Sequence, residues 1–211
     1  MARFWNTDGH NARNRSGADF MVTNPTALVE LESYWRGLAP AGRVPRRSAL
    51  DPALIGDVIE DALILERVAP GVARIRVAGQ RIAVLAGSEP RGMPLSVLFT
   101  PGDRGRLATQ VEVAFRMPSV VELPLRAARA PGRPALSGRL LLLPLCDDAG
   151  SVSRCLCALV ADGNPGGGPR RFSILDDPSI RHEPLDRAPL DPPRRRPAAG
   201  GPALRLVVDN A

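Results

Sequence analysis

Cysteine, histidine and arginine are the side chains through which this 211-residue chain can engage a metal, an oxidant or a phosphate. Cys155 and Cys157 are two residues apart, so on a strand both thiols face one side. Cys146 ends the apolar run before them. This trio suits a thiolate metal site or a redox sensor. It suits equally well three small core side chains, since free cysteine is commonly buried as a small hydrophobe, and that second reading is preferred. His10 and His182 both lie outside the segment expected to form the core, which argues against a histidine-based zinc centre. No metal ligand is assigned.

All 28 basic residues are arginine, because the chain contains no lysine. A guanidinium does not give up its proton. Schiff-base chemistry on lysine and a phosphate-binding loop with its lysine are therefore excluded. Neither a Ser-His-Asp set nor a Gly-x-Ser-x-Gly elbow occurs. No pair of carboxylates is marked out either, so no catalytic residue is assigned and no enzyme is expected.

The arginines of Arg43-Val44-Pro45-Arg46-Arg47 are forked cations suited to phosphate. Their RxxxR spacing resembles the arginine half of the cyclic di-GMP-binding PilZ motif. The serine that motif needs downstream is missing from Asp51-Pro52-Ala53-Leu54-Ile55-Gly56. The preferred reading is that Arg46 or Arg47 braces this connector against an acid such as Glu60 or Asp61. Arg43, Arg46 and Arg47, with Trp35, are the candidate ligand or partner contacts. The net charge is +6, but the arginines are spread along the chain and mixed with 22 acids, so nucleic acid is not an expected partner. Residues 1–20 hold no apolar signal-peptide core. The longest dense apolar run, Leu140 to Leu145, is too short to span a bilayer. A cytoplasmic location without membrane contact is expected.

These residues need elements to hold them. Asn24-Pro25 resembles a helix start, and Leu28, Leu31, Trp35 and Leu38 recur as on an amphipathic helix that stops at Pro40 and Gly42. Residues 62–68 and 72–77, separated by Pro70-Gly71, predict an antiparallel hairpin. Residues 79–99 predict two or three short helices, with Gly79 and Gly92 at turns. Thr100-Pro101-Gly102-Asp103 opens a longer helix carrying Leu107, Val111 and Phe115. Strands are expected at 120–127, 136–146 and 153–160, the last two joined by Asp147-Asp148-Ala149-Gly150. The order satisfies an α+β fold: a five-stranded antiparallel sheet with helices on one face, plus the N-terminal amphipathic helix. Residues 1–23 read as a disordered arm and 24–162 as the folded domain. Residues 163–203, with nine prolines and six glycines, read as a disordered tail. Residues 204–211 include Leu204 to Val208, a candidate docking strand.

In this order of elements the chain resembles a PAS domain, and more specifically the alphaproteobacterial PAS-like family. The segments that carry the likeness are SYWRGLAPAGRVPRRSALDP (33–52), ALILERVAPGVARIRVAGQRI (62–82), GSEPRGMPLSVLFTPGDR (87–104), GRPALSGRLLLLPLCDDAGSVSRCLCALVADG (132–163) and PRRFSIL (169–175). The resemblance implies a module that binds a small molecule or a partner protein in or around a cavity between sheet and helices, and passes a signal on. Haem-binding members use a histidine, and flavin-binding members resemble an Asn-Cys-Arg-Phe-Leu-Gln pattern that is absent here, so neither cofactor is expected. A signalling PAS domain continues into a linker helix, whereas this chain continues from Gly163 into glycine and proline. The expectation is a stand-alone regulatory module acting on a signalling protein in trans, tuned or not by a small ligand. The alternative is a second-messenger sensor using Arg43 to Arg47. PAS domains also pair through an N-terminal helix, which makes the helix at 25–38 the candidate for a homodimer.

Overall fold

The computed structural model describes residues 26–166, 168–176 and 180–186. The expected start at Asn24-Pro25 lies outside them. Helix α1 spans Ala27–Gly37 and presents Ala27, Leu31 and Trp35 to the interior. Three 3-10 turns follow, at Arg47–Ala49, Pro52–Leu54 and Gly56–Glu60. They lead into β1 (Ala62–Ala69), which turns at Gly71 into β2 (Val72–Ala78). Gly71 has φ +67°, the left-handed conformation that glycine tolerates.

Short α2 (Gln80–Ala86) and two further 3-10 turns, Leu95–Leu98 and Pro101–Asp103, run into α3 (Arg104–Arg116). Then come β3 (Ser119–Ala127), β4 (Leu136–Cys146) and β5 (Val152–Asp162). The five long strands form an antiparallel sheet in the order β2-β1-β5-β4-β3.

Two short strands extend this sheet beyond the expected five. β6 (Phe172–Ile174) and β7 (Arg181–Pro184) share the outer edge of β3, pairing with Leu125–Ala127 and Ser119–Glu122 respectively. Both come from the stretch read as a disordered tail, and that reading fails for residues 172–174 and 181–184. The physical reason is local. Phe172 and Ile174 alternate around Ser173 and are buried. Gly166 and Gly168, both at positive φ, bend the chain back toward the sheet. Residues 187–203 of the tail, the arm at 1–23 and the candidate docking strand at 204–211 lie outside the described residues.

The sheet has an apolar layer on each side. On one face α2, α3 and the turns between them pack Ile82, Leu85, Leu98, Phe99, Leu107, Val111 and Phe115 against Leu63, Leu65, Leu123, Leu140 and Leu142. On the other, α1 with Leu50, Ile55 and Val58 covers Ile64, Val120, Leu141, Leu143, Leu145, Leu156 and Ala158. The N-terminal helix therefore lies on the face opposite to the other helices. Among the described residues, no helix is long and apolar enough to cross a membrane.

Candidate functional site

Of the four candidate ligand or partner contacts, Trp35 is the most buried, at 1% exposure. Its indole N–H donates to the Pro144 carbonyl on β4 at 3.0 Å. It pins α1 to the sheet and offers no surface to a partner in this conformation.

The three arginines of the connector belong to different local arrangements. Arg43 bridges Asp186 through the backbone. Arg46 donates to the Asp148 carbonyl at 2.9 Å and lies 3.9 Å from its carboxylate. Arg47 opens a 3-10 turn. The connector continues the sheet beside the end of β4, beyond the start of β3, with the Cys146 N–H donating to the Pro45 carbonyl at 2.9 Å. The brace formed by Arg46 is to the β4–β5 turn. Glu60 and Asp61 instead meet Arg81, at 3.3 and 2.7 Å. Burial pushes the Asp61 carboxyl up, and the Arg81 guanidinium offsets this only in part.

Cys155 and Cys157 do share one face of β5, the face toward α3, and both are fully buried. Cys146 is buried under the connector, its Sγ 3.4 Å from the Pro45 carbonyl. Burial pushes the thiols of Cys146 and Cys157 up, away from the thiolate form. Among the described residues, no three cysteine, histidine or acidic side chains are grouped as for a metal. His10 lies outside the described residues. His182 stands exposed on β7, its Nε2 2.5 Å from Gln110 Oε1 on α3.

Side chains from both layers pack between the sheet and α2/α3. Phe99, Phe115 and Phe172 meet there with leucines from β1, β3 and β4. Concavity is found on the outside. An open groove of about 550 Å³ runs along α3, lined by Ala108, Thr109, Glu112, Val113, Arg116 and Met117. Met117 is 62% exposed at the end of this helix. One wall is fixed by Glu112, which accepts from the Gly71 N–H and from Arg67, both at 2.8 Å. These bonds hold its carboxyl below the usual range, the Gly71 N–H contributing most. An added Cβ on Gly71 would lie 3.0 Å from Ala108 Cβ, so the β1–β2 turn seats directly on the helix.

Sequence reading missed this groove because it followed only the buried stripe Leu107, Val111 and Phe115. Val113 and Met117, four apart on another side of the same helix, were its available signal. A family model described as a PAS domain matches residues 23–160, which takes in α1 through most of β5. No curated protein matches the chain.

Proposed function

Because the chain belongs to the PAS-domain family, a family of sensory and regulatory modules, we propose that it regulates a signalling protein in trans through contacts made at its surface. The observation that supports this reading is the apolar surface on the outside of the domain. Aromatic and leucine side chains occupy the layer between sheet and helices, while apolar atoms of Val113 and Met117 face outward along the α3 groove. A large exposed methionine beside a charged rim is suited to adaptable protein contacts.

Pulldown from lysate with the intact chain is expected to recover a defined signalling partner, and Val113→Glu with Met117→Glu is expected to lose it. Native mass spectrometry of freshly purified protein is expected to give the mass of the chain itself. A stoichiometric small molecule retained in the complex would instead assign sensing to a bound ligand. A homodimer built on α1 has to use its outward residues, such as Val29 and Ser33, because the stripe of Leu31 and Trp35 is occupied by the sheet. Sedimentation at rising concentration, with Val29→Glu as the comparison, tests it.

A further inference from the structure

Among the described residues, apolar packing covers only half of the outer face of the sheet. Glu66 on β1 is in register with Arg74 on β2 and with Arg154 on β5, so the three form a row across neighbouring strands. Register partners present their side chains to the same face. Ala62 and Ile64 belong to the outer layer, and alternation puts Glu66 with them. Leu156 and Ala158 place Arg154 there in the same way. Arg76 sits at a shift in the β1–β2 ladder and joins the row, its guanidinium closing on one Glu66 oxygen while Arg154 closes on the other. Arg74 donates to the Gly92 carbonyl at 3.1 Å.

The result is two guanidinium groups closing on one carboxylate, with a third, that of Arg74, in the same row. The side chains of Arg76 and Arg154 remain 48% and 32% exposed, and each guanidinium carries five donors. Val68 and Val72, both exposed, sit at the turn end of the same hairpin. The patch therefore combines unmatched positive charge with a small apolar rim.

We propose that this half of the outer face docks an acidic amphipathic helix of a partner protein. The inference rests on the reading that the domain works through protein contacts, and it uses the face opposite to the α3 groove. Excess guanidinium selects carboxylates, with which it makes paired hydrogen bonds. A helix fits because α1 already lies on the adjoining half of this face, and a second helix beside it continues the layer. The exposed Val68 and Val72 suit the apolar side of a helix and offer nothing to a phosphate backbone, which favours a protein over a nucleic acid.

The test uses the full chain and fluorescence anisotropy with a labelled synthetic amphipathic helix whose polar face is glutamate. A lysine-faced version and a single-stranded oligonucleotide are the comparison probes. The glutamate helix is expected to bind, and to bind more weakly as salt rises. Arg76→Glu with Arg154→Glu should weaken it by roughly tenfold or more. Glu66→Gln should tighten it, since both guanidinium groups are released to the ligand, and this arm holds even where the double variant folds poorly. The same charge change at exposed Arg104, on α3, should leave binding as it was. Equal binding of the lysine helix, tighter binding of the oligonucleotide, or no response to either Arg76/Arg154 or Glu66 substitution would overturn the inference. Failure of the glutamate helix alongside capture of a partner through the α3 groove would also overturn it, and would leave the regulatory reading standing.

Discussion

The Trp35 indole N–H donates to the Pro144 carbonyl at 3.0 Å, tying the N-terminal helix to a strand 109 residues further along the chain. Removing the ring takes away the largest side chain of the outer layer together with this bond. Trp35→Ala is expected to cost about 3–5 kcal/mol in urea or guanidinium unfolding, the range for emptying a large aromatic site. Trp35→Phe keeps most of the volume but strands the buried carbonyl, and is expected to cost about 1–3 kcal/mol. Equal, small losses for both variants would mean that α1 contributes little to holding the sheet.

The long strands and α3 were legible because each repeats its own period several times. Leu107, Val111 and Phe115 face the interior as a helical stripe should, and the Asp147-to-Gly150 turn joins β4 to β5. β6 and β7 were not legible, for a reason of scale. An alternation over three or four residues is too short to stand out along the chain, and their partner strand β3 lies dozens of residues earlier. β7 is held by charge: Arg181 reaches Glu32 on α1 and Glu122 on β3, and Glu183 meets Arg36. Such pairings are set by the finished fold and leave no pattern along the chain. Candidate contacts chosen by residue type fared similarly. Arg46 is an attractive phosphate ligand on paper, and what decides its role is the distant Asp148 carbonyl that packing brings to it.

Gly79 shows a different kind of constraint from the turn role its type suggests. Its φ is −72°, open to any residue. A Cβ there, however, would stand 2.2 Å from the Ile59 carbonyl oxygen and 2.3 Å from that of Glu60. Backbone atoms cannot rotate away as a side-chain tip can. Gly79→Ala is expected to destabilise by more than about 2 kcal/mol, through overpacking. Gly92→Ala, at φ +82° with open space around the added carbon, is expected to cost about 1 kcal/mol, from strain alone. Thermal melts of the two variants compare clash with strain directly. A larger loss at Gly92 would reverse this order.

The cysteines predict a sequence of reactivity. Cys155 and Cys157 are sealed beneath α3, whereas Cys146 lies at the end of β4 beneath only the connector. A thiol reacts through its thiolate, which burial disfavours. Little modification is expected in the native protein, with Cys146 reacting first and the pair on β5 only on unfolding. Mass spectrometry after timed alkylation resolves the order. Prompt labelling of Cys155 in folded protein would show that the α3 layer opens.

Acid should unfold the domain through its paired carboxylates. Glu112 is held below its ordinary range by the Gly71 N–H and by Arg67. Burial raises Glu32, but hydrogen bonds from Arg181 and Arg36 outweigh it and lower the carboxyl overall. Asp103 follows the same course, with burial overcome by Thr100, Ser173, the Ile174 N–H and Arg106. A carboxyl that ionises more readily folded than unfolded adds stability above its unfolded pKa, and loses it as pH falls through the folded value. Asp61, raised by burial, works in the opposite direction and softens the decline. Glu112→Gln isolates one contribution. At about pH 7 the variant should be less stable than the parent; near pH 3 the gap should be smaller, because the stability added by a lowered carboxyl is lost as pH falls through its folded-state value. Urea unfolding of both proteins at the two pH values measures it. A gap that stays constant would assign the role of Glu112 to packing against the β1–β2 turn, with its charge immaterial.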